Sequence, residues 1–93
     1  MAVEVHIFGT DGFGKPLWRV HAPWIDADVL RRTVEFTQDD PLTWSARIEP
    51  VACRFLVDRK EPTIPWLEGR AAELRERLRS AETRQVEIVL AEW

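Results

Sequence analysis

The strongest structural signal in the sequence is a change in hydrophobic period at Pro65. Downstream of this proline, apolar residues recur at intervals of three and four, as they do on the buried face of an amphipathic helix. These residues are Leu67, Ala71, Leu74, Leu78 and Ala81. Because proline is favoured at the first position of a helix, we predict a long helix over about residues 65–83.

Upstream of Pro65, apolar and polar residues mostly alternate, which is typical of half-buried strands. The alternating runs are 3–8, 15–21, 33–38 and 42–48, and a further run lies at 86–91. Residues 51–58, VACRFLVD, are mostly apolar and predict a strand in the centre of a sheet. The turn sequence DDP at residues 39–41 favours a hairpin over the alternative, a helix that continues to Gln38.

A short helix is predicted over about residues 26–32, since the carboxylate of Asp26 can cap the free N–H groups of its first turn. The strands at 51–58 and 86–91, with the long helix between them, match a unit of two parallel strands and a crossover helix. We therefore predict an α+β fold, with a mixed sheet of five or six strands packed by one long and one short helix. A chain of 93 residues can bury one core, so residues 1–93 are expected to form a single globular domain.

The segment GTDGFGK, residues 9–15, matches the first seven positions of a phosphate-binding P-loop. A P-loop continues with a Ser or Thr that binds magnesium and opens a helix. Here the next residue is Pro16, which has neither a hydroxyl nor an N–H, and an alternating run follows it. Three glycines in the segment suit a hairpin turn. We therefore predict a hairpin loop at this position, and we expect no nucleotide or other cofactor.

Charge and cysteine content limit the classes of partner. The chain has a net charge of −3, although its long helical segment is rich in arginine. Nucleic-acid binding needs a clear positive surface, so a nucleic-acid partner is disfavoured. The single cysteine, Cys53, cannot form an internal disulfide, and the first residues do not have the pattern of a signal peptide. We expect a cytoplasmic protein with no membrane partner.

Few residues are suited to catalysis or metal binding. His6, His21 and Cys53 are the only soft metal ligands or obvious general bases. If the first two strands pair, the two histidines come near one another, and Asp11 or Asp58 could complete a metal site. The ordinary interpretation is two strand histidines and one buried thiol. We assign no catalytic, cofactor-binding or metal-binding residue, and the balance favours a protein that is not an enzyme.

Tryptophan is the unusual part of the composition, because the chain has five tryptophans and no tyrosine. A domain of this size cannot easily bury five such large rings completely. Trp18 and Trp44 fit core-facing positions in their strands. Exposure is therefore expected at Trp24, Trp66 and Trp93.

Exposed tryptophan beside arginine is typical of the hot spots at which proteins bind one another. We predict that another protein binds at five positions, of which three lie on the long helix. These positions are Trp24, Trp66, Trp93, Arg70 and Arg77. The predicted function is a small non-enzymatic protein-binding module, such as an inhibitor, an immunity or antitoxin-like protein, or an adaptor.

Two other functions stay open at this point. The first is a small ligand-binding or enzymatic domain that uses His6 and His21 with nearby acids. The second is a local nucleic-acid contact through the Arg-rich helix. In addition, the strand at 86–91 could pair with the same strand of a second copy and form a homo-oligomer, because an open sheet edge exposes unpaired backbone groups.

Overall fold

The computed structural model of the protein describes residues 2–59 and 62–92. These residues form five strands and three helices, which confirms the predicted α+β class. In chain order the elements are β1 (Val3–Thr10), β2 (Pro16–His21), α1 (Ala27–Thr33), β3 (Thr37–Asp40), β4 (Thr43–Ile48), α2 (Pro50–Asp58), α3 (Pro65–Arg79) and β5 (Gln85–Glu92).

The five strands form one antiparallel sheet in the order β2-β1-β5-β4-β3. The last strand, β5, therefore lies in the centre of the sheet, hydrogen-bonded to β1 on one side and to β4 on the other. The predicted parallel pairing of 51–58 with 86–91 is wrong, and so is the prediction that 86–91 is an open edge. The edges are β2 and β3.

Residues 50–58 form the helix α2 rather than the predicted central strand. Pro50 lies in the first turn of this helix, where proline is favoured, and Cys53 and Val57 are buried one turn apart. Val51 and Phe55, also one turn apart, are exposed. Because Val51 and Phe55 are apolar although they are exposed, the segment reads as a short, mostly apolar run, and such a run does not distinguish a helix from a buried strand.

The other predicted elements agree closely with the structure. Helix α1 is capped by Asp26, whose Oδ1 accepts a hydrogen bond from the N–H of Asp28 at 2.8 Å. Helix α3 begins at Pro65 as predicted and ends at Arg79, a turn earlier than predicted. The predicted hairpin is confirmed as β3 and β4, but its first strand is Thr37–Asp40 rather than 33–38, because α1 extends to Thr33.

The glycine-rich segment is a hairpin loop between β1 and β2, as predicted. Asp11 closes the loop, because its Oδ1 accepts hydrogen bonds from the N–H groups of Phe13 at 2.8 Å and Lys15 at 2.9 Å. Gly14 has a φ of +83°, a conformation that favours glycine. At Gly9 the ring of Trp18 occupies the place that a Cβ atom would take.

The sheet has two unlike faces. The helix-covered face supplies the strand residues of the core, which pack against buried residues of all three helices. These strand residues include Val5, Ile7, Val20, Val86, Ile88 and Leu90. The residues that alternate with them define the open sheet face, and none of them belongs to the core cluster. They include Glu4, His6, Phe8, Arg19, His21, Arg47, Glu87, Val89 and Ala91.

Helix length bears on the question of membrane insertion. Crossing a bilayer takes about 20 apolar residues in one helix. No helix among residues 2–59 and 62–92 is both long and apolar enough to do this.

Candidate functional site

Three of the predicted binding residues share one side of α3. Trp66, Arg70 and Arg77 lie at helical spacings that place their Cα positions within about 40° of one another around the helix axis. They extend over about 16 Å of its length. The side chain of Trp66 is 71% exposed, and both arginines are exposed. We call these residues, with Glu73 between them, the α3 outer face.

The structure does not bring all five predicted residues together. Trp24 is only 8% exposed, so the prediction that it is exposed is wrong. Trp24 lies in a turn between β2 and α1, in which the Ile25 N–H donates to the Ala22 carbonyl at 3.2 Å. Both Trp24 and Ile25 pack into the core. Trp93 lies outside the described residues. Trp18 and Trp44 are half-buried against the core.

Charges on α3 are partly compensated. Arg77 lies 3.9 Å from Glu73 one turn earlier, and Arg75 on the neighbouring side lies 3.7 Å from Asp58 of α2. Arg70 has no salt bridge within the described part of the chain. Arg70 therefore leaves a positive charge in the middle of the α3 outer face.

A second cluster of polar side chains lies on the open sheet face, where β1 and β2 pair. His6 and His21 are directly opposite in the register, and their rings stack with centroids 4.7 Å apart and an interplanar angle of 17°. The Oε2 of Glu4, two residues before His6 on the same face, lies 3.0 Å from His6 Nε2 and accepts its hydrogen bond. We call Glu4, His6 and His21 the histidine cluster.

The surroundings of the histidine cluster favour the neutral form of the His21 imidazole. Burial lowers the pKa of His21 below its ordinary value, and repulsion from His6 lowers it further. Arg70 and Arg19 act in the same direction. The pKa of the Glu4 carboxyl is lowered chiefly by the hydrogen bond from His6, so Glu4 stays ionised. The Nδ1 atom of His6 is buried and has no hydrogen-bond partner within the described residues.

An open depression of about 360 Å³ connects the two sites. It is lined by the two histidines, by two further residues of β2 and by two residues of the α3 outer face. The lining residues are His6, Arg19, Val20, His21, Arg70 and Glu73. A ligand in this depression would contact imidazole, guanidinium and carboxylate groups.

The sequence placed the two histidines together but missed the acid beside them. Asp11 closes the hairpin loop and Asp58 pairs with Arg75, so neither belongs to the histidine cluster. Glu4 takes that place. The signal was present in the sequence, because residues two apart on a strand point to the same face.

The single cysteine, Cys53, is not accessible as a nucleophile. Cys53 lies on the buried side of α2, and burial raises the pKa of its thiol to about 12. A thiol in this state is almost entirely protonated at neutral pH and is a poor nucleophile. The predicted buried thiol is therefore confirmed.

Large apolar side chains are exposed elsewhere, and the sequence analysis did not single them out. Phe13 at the tip of the hairpin loop is 99% exposed, and Phe55 on the outer side of α2 is also exposed. Neither lies on α3, which carries the residues of the α3 outer face, and we use Phe55 below as a control position.

The fold and these clusters define a small α+β protein with an antiparallel sheet whose polar groups gather on one face. Comparison of the chain with family models, with curated proteins and with solved structures found no match.

Proposed function

We propose that this protein is a non-enzymatic binding module for another protein, and that the α3 outer face is its contact surface. The observation that carries the proposal is the alignment of the exposed Trp66 with Arg70 and Arg77 along one side of a helix. Tryptophan and arginine are the residues most enriched among those that dominate the binding energy of protein interfaces.

The charges on this face indicate the chemistry of the partner. Arg70 is not neutralised by a salt bridge within the described residues, and Arg19 borders the same depression. An acidic surface would complement these groups, with the indole of Trp66 packed in an apolar pocket of the partner. We therefore propose an acidic partner protein. A free, buried cysteine also suits a reducing compartment, and we propose that the complex forms in the cytoplasm.

The test is affinity capture followed by measured binding. Wild-type protein and the variants Trp66→Ala, Arg70→Ala and Phe55→Ala are immobilised separately, and a protein captured by the wild type is purified and titrated by calorimetry. We expect Trp66→Ala to weaken binding by at least about 2 kcal/mol, or about thirtyfold. Loss of Arg70 should weaken binding less at high salt than at low salt.

Phe55→Ala is the matched control, because it also removes an exposed aromatic side chain from a helix. It should bind the partner as the wild type does. Equal binding by the wild type and Trp66→Ala would contradict the proposed surface. A wild-type chain that captures no protein at all would contradict the proposed function.

A further inference from the structure

We infer that the histidine cluster is a binding site for a divalent first-row transition-metal ion, with Glu4, His6 and His21 as its three protein ligands. Each side chain offers one ligand atom, and the three atoms all lie within 4.8 Å of one another. Two imidazoles and one carboxylate are a donor set that suits zinc and its neighbours. The inference concerns other residues than the proposed protein-binding surface and does not depend on it.

The distances need only a small adjustment to close around an ion. Zinc bonds to nitrogen and oxygen are about 2.0–2.2 Å long, so two ligands of one ion lie about 3–3.5 Å apart. The 3.0 Å between His6 Nε2 and Glu4 Oε2 already fits this spacing. Because the lone pairs of imidazole lie in the plane of the ring, the two stacked rings have to tilt toward one another for both to reach one ion. A turn of the His21 ring about its side-chain torsions closes the remaining gap.

Within the described residues, no hydrogen bond holds the His21 ring against this adjustment. His21 is half-buried on the edge strand β2, next to the open depression. The only hydrogen bond of the His6 ring within the described residues is the one to Glu4, since Nδ1 has no partner.

The charges around the site affect how tightly such an ion is bound. Two neutral imidazoles, one carboxylate and a divalent ion together carry one positive charge, and Arg19 and Arg70 border the same depression. Their repulsion weakens the binding of a cation. We therefore expect removal of the Arg70 charge to leave zinc affinity unchanged or to raise it, whereas the same change weakens binding of the proposed acidic partner.

The experiment uses the purified chain without an affinity tag and without any partner. Zn²⁺ is titrated by calorimetry, and Co²⁺ is titrated by visible absorption, which reports the ligand geometry. We expect binding at one equivalent, with Mg²⁺ unable to compete because it prefers oxygen ligands in an octahedral shell. His6→Ala, His21→Ala and Glu4→Gln should each weaken Zn²⁺ binding, the histidine variants by more than about tenfold.

Glu87→Gln is the matched control. Glu87 also lies on the open sheet face, and its side chain is 34% exposed against 38% for Glu4, but it pairs with Arg47. It should bind Zn²⁺ like the wild type. Circular dichroism checks that each variant is folded, and His6→Gln or His21→Gln replaces an alanine variant that is not.

Three results would overturn the assignment. The first is a folded wild-type chain that binds neither Zn²⁺ nor Co²⁺. The second is Zn²⁺ binding that survives the loss of either histidine, since the chain has only these two. The third is unchanged binding by Glu4→Gln. Because no partner is present, failure here leaves the proposed protein-binding function standing, and failure of the capture experiment leaves the metal site standing.

Discussion

On the helix-covered face of β5, Val86, Ile88 and Leu90 are buried, whereas Glu87, Val89 and Ala91 on the open face stay in contact with solvent. Both sets of residues belong to the same eight-residue strand, and they alternate along it, so that successive side chains lie on opposite faces of the sheet. The two faces of the sheet therefore have different roles. Apolar packing on one face stabilises the fold, and the other face is left for polar groups such as the histidine cluster.

The strongest effect on stability is expected at β5, where two neighbouring residues should differ in how much their replacement lowers the free energy of unfolding. Leu90→Ala removes a fully buried side chain from the centre of the sheet, which should lower the free energy of unfolding by about 2–5 kcal/mol. Val89→Ala, one residue earlier on the open face, should cost less than about 1 kcal/mol. Urea denaturation of both variants measures the two values. Equal losses would mean that the open face is covered by packing as well.

A smaller effect of the same kind is expected at two glycines. Gly9→Ala forces the Trp18 ring away from the helix-covered face, and overpacking of this kind costs about 1–3 kcal/mol. Gly69→Ala adds a methyl group to open space on α3 and should stabilise the helix by up to about 1 kcal/mol. Thermal unfolding monitored by tryptophan fluorescence gives both signs. A Gly9→Ala chain as stable as the wild type would show that the Trp18 contact is not tight.

The weakest effect is expected in the hairpin loop that connects β1 to β2. Backbone hydrogen bonds from Lys15 and Phe13 hold the pKa of Asp11 below its ordinary value of 3.8. A lowered pKa means that the folded state binds this proton less tightly than the unfolded state. The stabilisation is therefore complete above pH 3.8 and is lost as the pH falls through the lower folded-state pKa.

Asp11→Asn isolates this contribution, because it keeps an oxygen acceptor and removes the charge. Its stability should be lower than that of the wild type at neutral pH, and the gap should shrink on acidification. Denaturant unfolding across this pH range measures it. A gap that is independent of pH would contradict a role for the Asp11 charge in closing the loop.

Local patterns account for most elements that were predicted correctly. The spacing of Leu67, Ala71, Leu74 and Leu78 predicted α3, and all four are buried. Alternation predicted β1 and β2, and their pairing predicted that His6 and His21 meet. In each case the residues on the two sides of the element differ in polarity, so the period is visible in the sequence.

Prediction failed where polarity did not follow burial. Helix α2 carries exposed Val51 and Phe55, so its apolar run looked like a strand. Trp24 lies in a turn, where no period applies, and its burial follows from the packing of that turn into the core. Of the five predicted binding residues, three came to share a helix face, and their role in binding remains a prediction.

Local sequence patterns were enough to predict the secondary structure of most segments and the α+β class, because hydrophobic period and capping residues act over a few neighbours. The tertiary structure was needed to place β5 between β1 and β4, and to place Arg70 of α3 beside the depression that His6 and His21 also line. These arrangements join residues far apart in the chain. They depend on how whole elements bury their apolar sides together, which no local pattern specifies.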